Sequence, residues 1–174
     1  EREDAAAAVD LAAGLGADLP LARGLEIEWL GTAGYRITYE GRSLLIDPYL
    51  TRVPLSAVLG RETVPADPRL HDRYLANAGD VAGILVGHTH FDHAIDVPAL
   101  ARRYGVDAYG SSSLAQLMTL HGLRSQAVEV APDRTYEVGP FVVRFVPSLH
   151  SKLILGYAVP SDGELTCEHL DALT

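Results

Sequence analysis

Cysteine is nearly absent from this sequence: Cys167 is the only one among 174 residues. A single cysteine excludes an internal disulfide, so stability must come from packing or from a bound metal. Basic residues are also scarce, since 14 Lys and Arg stand against 23 Asp and Glu, for a formal net charge of −9. A surface of that sign repels polyanions, and we therefore expect no nucleic-acid partner.

Long apolar runs are missing too. No stretch approaches the roughly 20 apolar residues of a transmembrane helix. The Ala-rich start of the chain is interrupted by Asp10 and Asp18 and has no basic segment before it, so it does not resemble a signal peptide. We expect no transmembrane segment and a cytoplasmic location, with a leader removed before Glu1 as the alternative. The sequence carries no sign of its oligomeric state.

The pattern along the chain predicts one mixed α/β domain. Residues 1–24 have the composition of an N-terminal helix or arm, and residues 25–174 form the predicted domain. Three segments that are rich in alternating apolar residues predict an antiparallel strand meander, namely LEIEWLG, YRITYE and SLLID. Later segments predict helices and strands in alternation, including a helix that Asp96 caps and that ends at Gly105.

Residues 50–69 contain three prolines and show no clear period. Such a segment can be a plain surface connection. It can also be a flap over a site, because long irregular loops in compact domains are often lids. Both interpretations stay open.

The stretch VGHTHFDHA, at residues 86–94, holds three histidines and an aspartate within six positions. His88 and His90 follow a predicted buried strand, and residues two apart in extended backbone point to the same side. Asp92 and His93 follow where the chain turns towards a helix. This spacing predicts two half-sites, one from each pair. Imidazole and carboxylate ligands without a thiolate favour Zn²⁺, with Mn²⁺ or Fe as alternatives. The site would hold one or two of these ions.

Isolated histidines carry less information. We interpret His71 and His121 as ordinary core or surface residues. Without a bound ion, the cluster would place three imidazoles and a carboxylate beside an apolar strand, which costs free energy and stabilises nothing.

The segment HTHFDH matches the His-x-His-x-Asp-His signature of the metallo-β-lactamase superfamily. Three further segments resemble elements of that family: WLGTAGYRI its opening strand pair, LLIDPYL the strand that ends in an Asp behind the ligands, and VPSLHSK the element that delivers a later His. The resemblance covers about residues 25–160 and is closest to the lactonase-like and N-acyl-phosphatidylethanolamine phospholipase D-like branches. It implies a four-layer αββα sandwich, of which this chain supplies mainly the N-terminal αβ half.

The resemblance also implies a role for each site residue. His88, His90 and His150 would hold the first metal, and Asp92 and His93 would contribute to a second. Asp47 would lie behind the ligands, where it would orient one of them by a hydrogen bond.

The sequence departs from the family after Lys152. Family members carry a metal-bridging Asp and a final His in a second αβ half, whereas the context of Asp162, His169 and Asp171 does not resemble those elements. We therefore expect this chain to be the N-terminal part of a longer protein, with the remaining C-terminal part as its partner and the second metal site incomplete.

The implied activity is that of a metal-dependent hydrolase in which zinc-bound hydroxide cleaves an ester-type bond of a small molecule or lipid, such as a lactone or a phosphodiester. Asp92 would be the catalytic residue that orients the hydroxide. Lys152 is a weaker candidate for contact with a substrate anion, and a solvated lysine is the alternative.

Two rival functions stay open. One is a diiron-type oxidoreductase on the same fold, although the related flavodiiron branch has Glu where this chain has His90. The other is an inactive binding module with this fold.

Overall fold

The computed structural model describes residues 22–60 and 62–148. Most of the predicted N-terminal helix or arm, residues 1–24, lies outside the described residues. His150 and Lys152 lie outside them as well.

The predicted strand meander is confirmed. It consists of β1 (Glu26–Gly31), β2 (Gly34–Tyr39) and β3 (Arg42–Ile46). Neighbouring strands run antiparallel. The β2–β3 turn places Glu40 and Gly41 at positive φ, 52° and 76°, a conformation that glycine adopts without steric cost.

Three short parallel strands extend this meander on the β3 side. They are β4 (Asp80–Leu85), β5 (Ala108–Gly110) and β6 (Ala127–Glu129). The result is a six-stranded mixed sheet in the order β1-β2-β3-β4-β5-β6. A separate antiparallel hairpin follows, made of β7 (Thr135–Val138) and β8 (Phe141–Arg144).

Within residues 22–60 and 62–148, five α-helices lie between the strands. They are α1 (Leu55–Gly60), α2 (Pro68–Tyr74), α3 (Phe91–Ala94), α4 (Val97–Tyr104) and α5 (Ser112–Leu120). Across the described ranges, none of the helices is both long enough and apolar enough to cross a membrane.

The sheet is covered on both faces. On one face, Ile84 of β4 belongs to a buried cluster with Leu100 of α4 and Met118 of α5. On the other, Leu44 of β3 clusters with Tyr136 and Val138 of the hairpin. Helices, six-stranded sheet and hairpin thus form successive layers. The mixed α/β class is confirmed, and the layering agrees with the expected αββα fold.

The predicted capping of α4 by Asp96 is wrong. The helix runs from Val97 to Tyr104 and is followed by the C-cap residue Gly105, whose φ of 66° is typical of a helix C-terminus. Asp96 occupies the N-cap position, but its side chain makes no capping hydrogen bond. Its carboxylate is engaged by other segments, described below.

Candidate metal centre

The histidine cluster lies at the carboxyl edge of the parallel strands. Asp47 directly follows β3, and Gly87 and His88 come just after β4, its parallel neighbour. Ligands of open α/β sheets usually bind at this edge, because the loops that leave neighbouring strands meet there.

A short helix turns the second half of the motif towards the first. His90 is still extended, with φ −65° and ψ 154°, and its carbonyl oxygen accepts the backbone N–H groups of His93 and Ala94 at 3.0 Å. Asp92 and His93 therefore lie on one turn of α3, whereas His88 and His90 precede it.

Three side chains converge. One potential ligand atom from each of His88, Asp92 and His93 lies within 4.8 Å of the other two. The His88 and His93 ring centroids are 3.9 Å apart, and Nε2 of His93 lies 3.8 Å from Oδ2 of Asp92. Two imidazoles and a carboxylate at such distances suit a divalent transition metal ion.

His90 lies against this group. Its Nδ1 is 2.9 Å from Nε2 of His88, and the two ring centroids are 4.5 Å apart. The three converging residues come from both predicted half-sites, so the division into His88 with His90 and Asp92 with His93 stays a prediction.

Asp47 lies behind His93. Its Oδ2 is 3.0 Å from Nδ1 of His93, and its Oδ1 accepts the backbone N–H of Gly87 at 2.7 Å. The ring N–H is not well aligned with Oδ2, so the buried Nδ1 makes no well-formed hydrogen bond. The Asp47 contact raises the pKa of His93 above its ordinary 6.5, while burial opposes the shift and the Asp92 charge adds to it.

This orientation fits a bound cation. Nδ1 of His93 faces a carboxylate and Nε2 faces Asp92. Metal-binding histidines commonly have such a carboxylate behind the ring, which fixes its tautomer and direction. The donor set of two imidazoles and a carboxylate, with Asp47 behind the His93 ring, is therefore suited to a metal ion.

The backbone around Asp47 is adapted to this contact. Asp47 has a φ of 42°, a left-handed conformation that is uncommon outside glycine and is enriched at functional sites. At Gly87, a Cβ atom would come within 3.0 Å of Oδ2 of Asp47. Glycine therefore lets the strand end approach the carboxylate closely.

A second polar network surrounds Asp96, and the sequence did not predict it. The fully buried Asp96 accepts four hydrogen bonds. The donors are the backbone N–H groups of Leu50 and Thr51 at 2.7 and 2.8 Å, the Thr51 hydroxyl at 2.6 Å and, at 2.7 Å, Nε2 of His71. The carboxylate thus joins the segment after Asp47, the helix α2 and the end of the metal-site turn.

Burial by itself raises the pKa of Asp96. The hydrogen bonds from His71 and Thr51 and from the Leu50 backbone outweigh this effect, and the pKa lies below its ordinary value of 3.8. In the sequence, the only local sign of burial is that Asp96 stands between Ile95 and Val97. Nothing in the sequence pairs it with His71, 25 positions earlier.

Comparison with known proteins supplies the family context. A family model described as a Beta-lactamase superfamily domain matches residues 42–169. A UPF0173 metal-dependent hydrolase of Polynucleobacter asymbioticus is 30% identical over 134 residues, which are 75% of this chain and 43% of that protein. One from Cupriavidus taiwanensis is 36% identical over 123 residues, 70% of this chain and 39% of the relative. The chain thus spans about half the length, or less, of these curated relatives.

Solved structures share the fold at low sequence identity. Igni18, a metallo hydrolase from Ignicoccus hospitalis, matches with a TM-score of 0.52 and 17% identity over 73% of this chain and 50% of its own. CmlA, a diiron β-hydroxylase from Streptomyces venezuelae, matches with a TM-score of 0.51 and 21% identity over 80% of this chain and 29% of its own. At such identities the likeness concerns the fold alone.

Proposed function

This chain belongs to the metallo-β-lactamase superfamily, and on that premise we propose that the intact protein is a metal-dependent hydrolase of an ester-type bond. The bond would belong to a lactone or to a phosphodiester of a small molecule or lipid. The curated relatives are named metal-dependent hydrolases, which supports the reaction class. Residues 25–174 would contribute the N-terminal αβ half of the catalytic domain.

The main support for a hydrolase is that ligand atoms of His88, Asp92 and His93 lie within 4.8 Å of one another at the carboxyl edge of the sheet. We propose zinc as the metal, with Mn²⁺ or Fe as alternatives, because the donors are imidazoles and a carboxylate. His90 and His150 would complete the ligands, and a second ion would also need residues from the rest of the protein.

A bound divalent cation lowers the pKa of a coordinated water to about 7 and polarises a carbonyl or phosphoryl oxygen. The chain's own residues would do the rest. The carboxylate of Asp92 is partly exposed and can accept a hydrogen bond from the attacking water, orient it and take up its proton. The contact with Asp47 keeps Nε2 of His93 turned towards Asp92. Lys152 would contact an anionic group of the substrate.

The formal charge of −9 bears on the substrate. An acidic protein repels polynucleotides, so a small molecule or a lipid-derived substrate is favoured over nucleic acid.

The test is hydrolysis by the intact protein, supplied in turn with Zn²⁺, Mn²⁺ and Fe²⁺, of a panel of lactones, aryl esters and phosphodiesters. We expect turnover of at least one class, and Asp92→Asn should reduce it by at least 100-fold, the lower end of the usual contribution of a general base. Stoichiometric iron with oxygen consumption and no hydrolysis would reject the proposal in favour of a diiron oxidoreductase.

A further inference from the structure

We propose that a cavity beside the metal-site helix α3 binds the apolar arm of the substrate. This inference rests on the proposed function, since it assigns a substrate feature to the same site. It makes the segment around α1 part of the substrate-binding wall.

The cavity has a volume of about 320 Å³. That is the volume of roughly ten liquid water molecules at about 30 Å³ each, so it suits a chain or ring of several carbons better than a single methyl group. Apolar side chains make up most of its wall, namely Val53, Ala57, Val58, Val64, Phe91 and Ile95.

One wall of the cavity belongs to the same helical turn as the candidate ligands. Phe91 stands between His90 and Asp92, and successive Cα atoms are only about 3.8 Å apart. Phe91 and Ile95, four positions apart, lie on one side of the helix. In this proposal, a side group of the substrate lies against Phe91 and Ile95 while its reacting bond lies near Asp92, one residue after Phe91 on the same turn.

The segment that follows Asp47 supports this wall. Tyr49 contacts Phe91 edge-on, with ring centroids 6.2 Å apart. Phe91 is nevertheless 40% exposed, an unusual degree of exposure for a large aromatic ring that only fills a core. The exposed part of this ring is available to a ligand.

The charge of the lining indicates what the arm is. Glu62 is the charged residue of this lining, and no lysine or arginine contributes to it within the part of the chain that the structure describes. A carboxylate or phosphate at this end would be repelled, whereas a neutral alkyl, acyl or aryl group would not. The six apolar side chains and the single carboxylate thus favour an apolar arm over an anionic one.

The opposite wall, α1, offers a matched pair of positions. Val58 lines the cavity and is 39% exposed. Leu59, the next residue, is 77% exposed and does not line the cavity. A bulky side chain at position 58 should fill the cavity, whereas the same side chain at position 59 should project into solvent.

The test is calorimetric binding of 1-alkanols, from butanol to octanol, to the intact protein as purified. We expect affinity to rise about fourfold for each added methylene until the cavity is full. Val58→Trp should lower the affinity for hexanol at least tenfold, and Leu59→Trp should leave it unchanged. The pair Val58→Asp and Leu59→Asp repeats the comparison with a charge instead of bulk, in case one tryptophan variant does not fold.

Affinity that is independent of chain length, or equal in the two tryptophan variants, would overturn the cavity assignment. Hydrolysis of p-nitrophenyl butyrate, hexanoate and octanoate then separates this inference from the proposed function. Hydrolysis at rates that ignore chain length would reject the cavity and leave the hydrolase. Absence of ester, lactone and phosphodiester hydrolysis, with alkanols bound as expected, would reject the hydrolase and leave an apolar binding site.

Discussion

Oδ2 of Asp47 lies 3.0 Å from Nδ1 of His93, and this contact joins the end of β3 to the metal-site helix. The other oxygen of the same carboxylate accepts the Gly87 N–H at the end of the neighbouring strand. One side chain thus contacts both the His93 ring and the backbone just before His88.

Replacing Asp47 should weaken metal binding. Asp47→Ala removes both contacts, and loss of a carboxylate behind a metal-binding histidine typically costs about 10–100-fold in affinity. Asp47→Asn tolerates the positive φ of this position but lacks the charge and one of the two acceptors. We expect both variants to lose affinity for Zn²⁺, measured by competition with a chromophoric chelator.

The pair separates backbone strain from ligand orientation. If Asp47→Asn bound Zn²⁺ as tightly as the unchanged protein, the contact with His93 would have no role in the site. A further loss of thermal stability in Asp47→Ala alone would report the strain of the left-handed backbone.

The buried carboxylate of Asp96 should matter for stability. Removing a buried carboxylate from its hydrogen-bonded network costs about 3–5 kcal/mol, because the remaining donors lose their acceptor. Asp96→Ala leaves the N–H groups of Leu50 and Thr51 and the ring of His71 without their carboxylate. We expect a loss of that size in the free energy of unfolding, measured by urea denaturation.

A surface pair provides the control. Asp80 is 69% exposed and accepts a hydrogen bond from Arg42 at 2.9 Å. Exposed pairs contribute about 0–1 kcal/mol, so Asp80→Ala should change stability little. Equal losses in the two alanine variants would contradict the role given to the Asp96 network.

The Asp96 network should also make stability depend on acid. Because the pKa of Asp96 is lower in the folded protein than its ordinary 3.8, its contribution is fully present above that value and is lost as the pH falls through the folded pKa. Relative to Asp96→Asn, the unchanged protein should hold its full stability advantage above about pH 5 and lose it progressively below pH 3.8. A stability advantage over Asp96→Asn that grows as the pH falls would contradict this direction of the pH dependence.

Much of the fold could be predicted from local patterns. Alternating apolar residues indicated β1 to β3, and the run before Gly87 indicated β4, because burial on one or both faces of a sheet leaves a readable period. The spacing of His88, His90, Asp92 and His93 placed the candidate site directly after a strand. Each of these features depends on residues that are close in the sequence.

Contacts between distant segments could not be predicted in this way. The pattern of Asp96 followed by Val97 and Pro98 is that of a helix cap, and only the folded chain brings Thr51 and His71 to its carboxylate. The cavity likewise lies between side chains of α1 and α3, and no sequence pattern links these two segments. For residues 50–69, the sequence could not decide between a surface connection and a flap. The position of this segment relative to Phe91 depends on tertiary packing.

Whether the histidine cluster binds metal can be measured by elemental analysis of the purified intact protein. We expect at least one equivalent of Zn²⁺, Mn²⁺ or Fe per chain. His88→Ala and His90→Ala should each lose metal and hydrolytic activity together, while His121→Ala, outside the cluster, should keep both. Metal that stays at full stoichiometry in His88→Ala and His90→Ala, or is absent from the unchanged protein after incubation with each ion, would show that the histidine cluster is not a metal site.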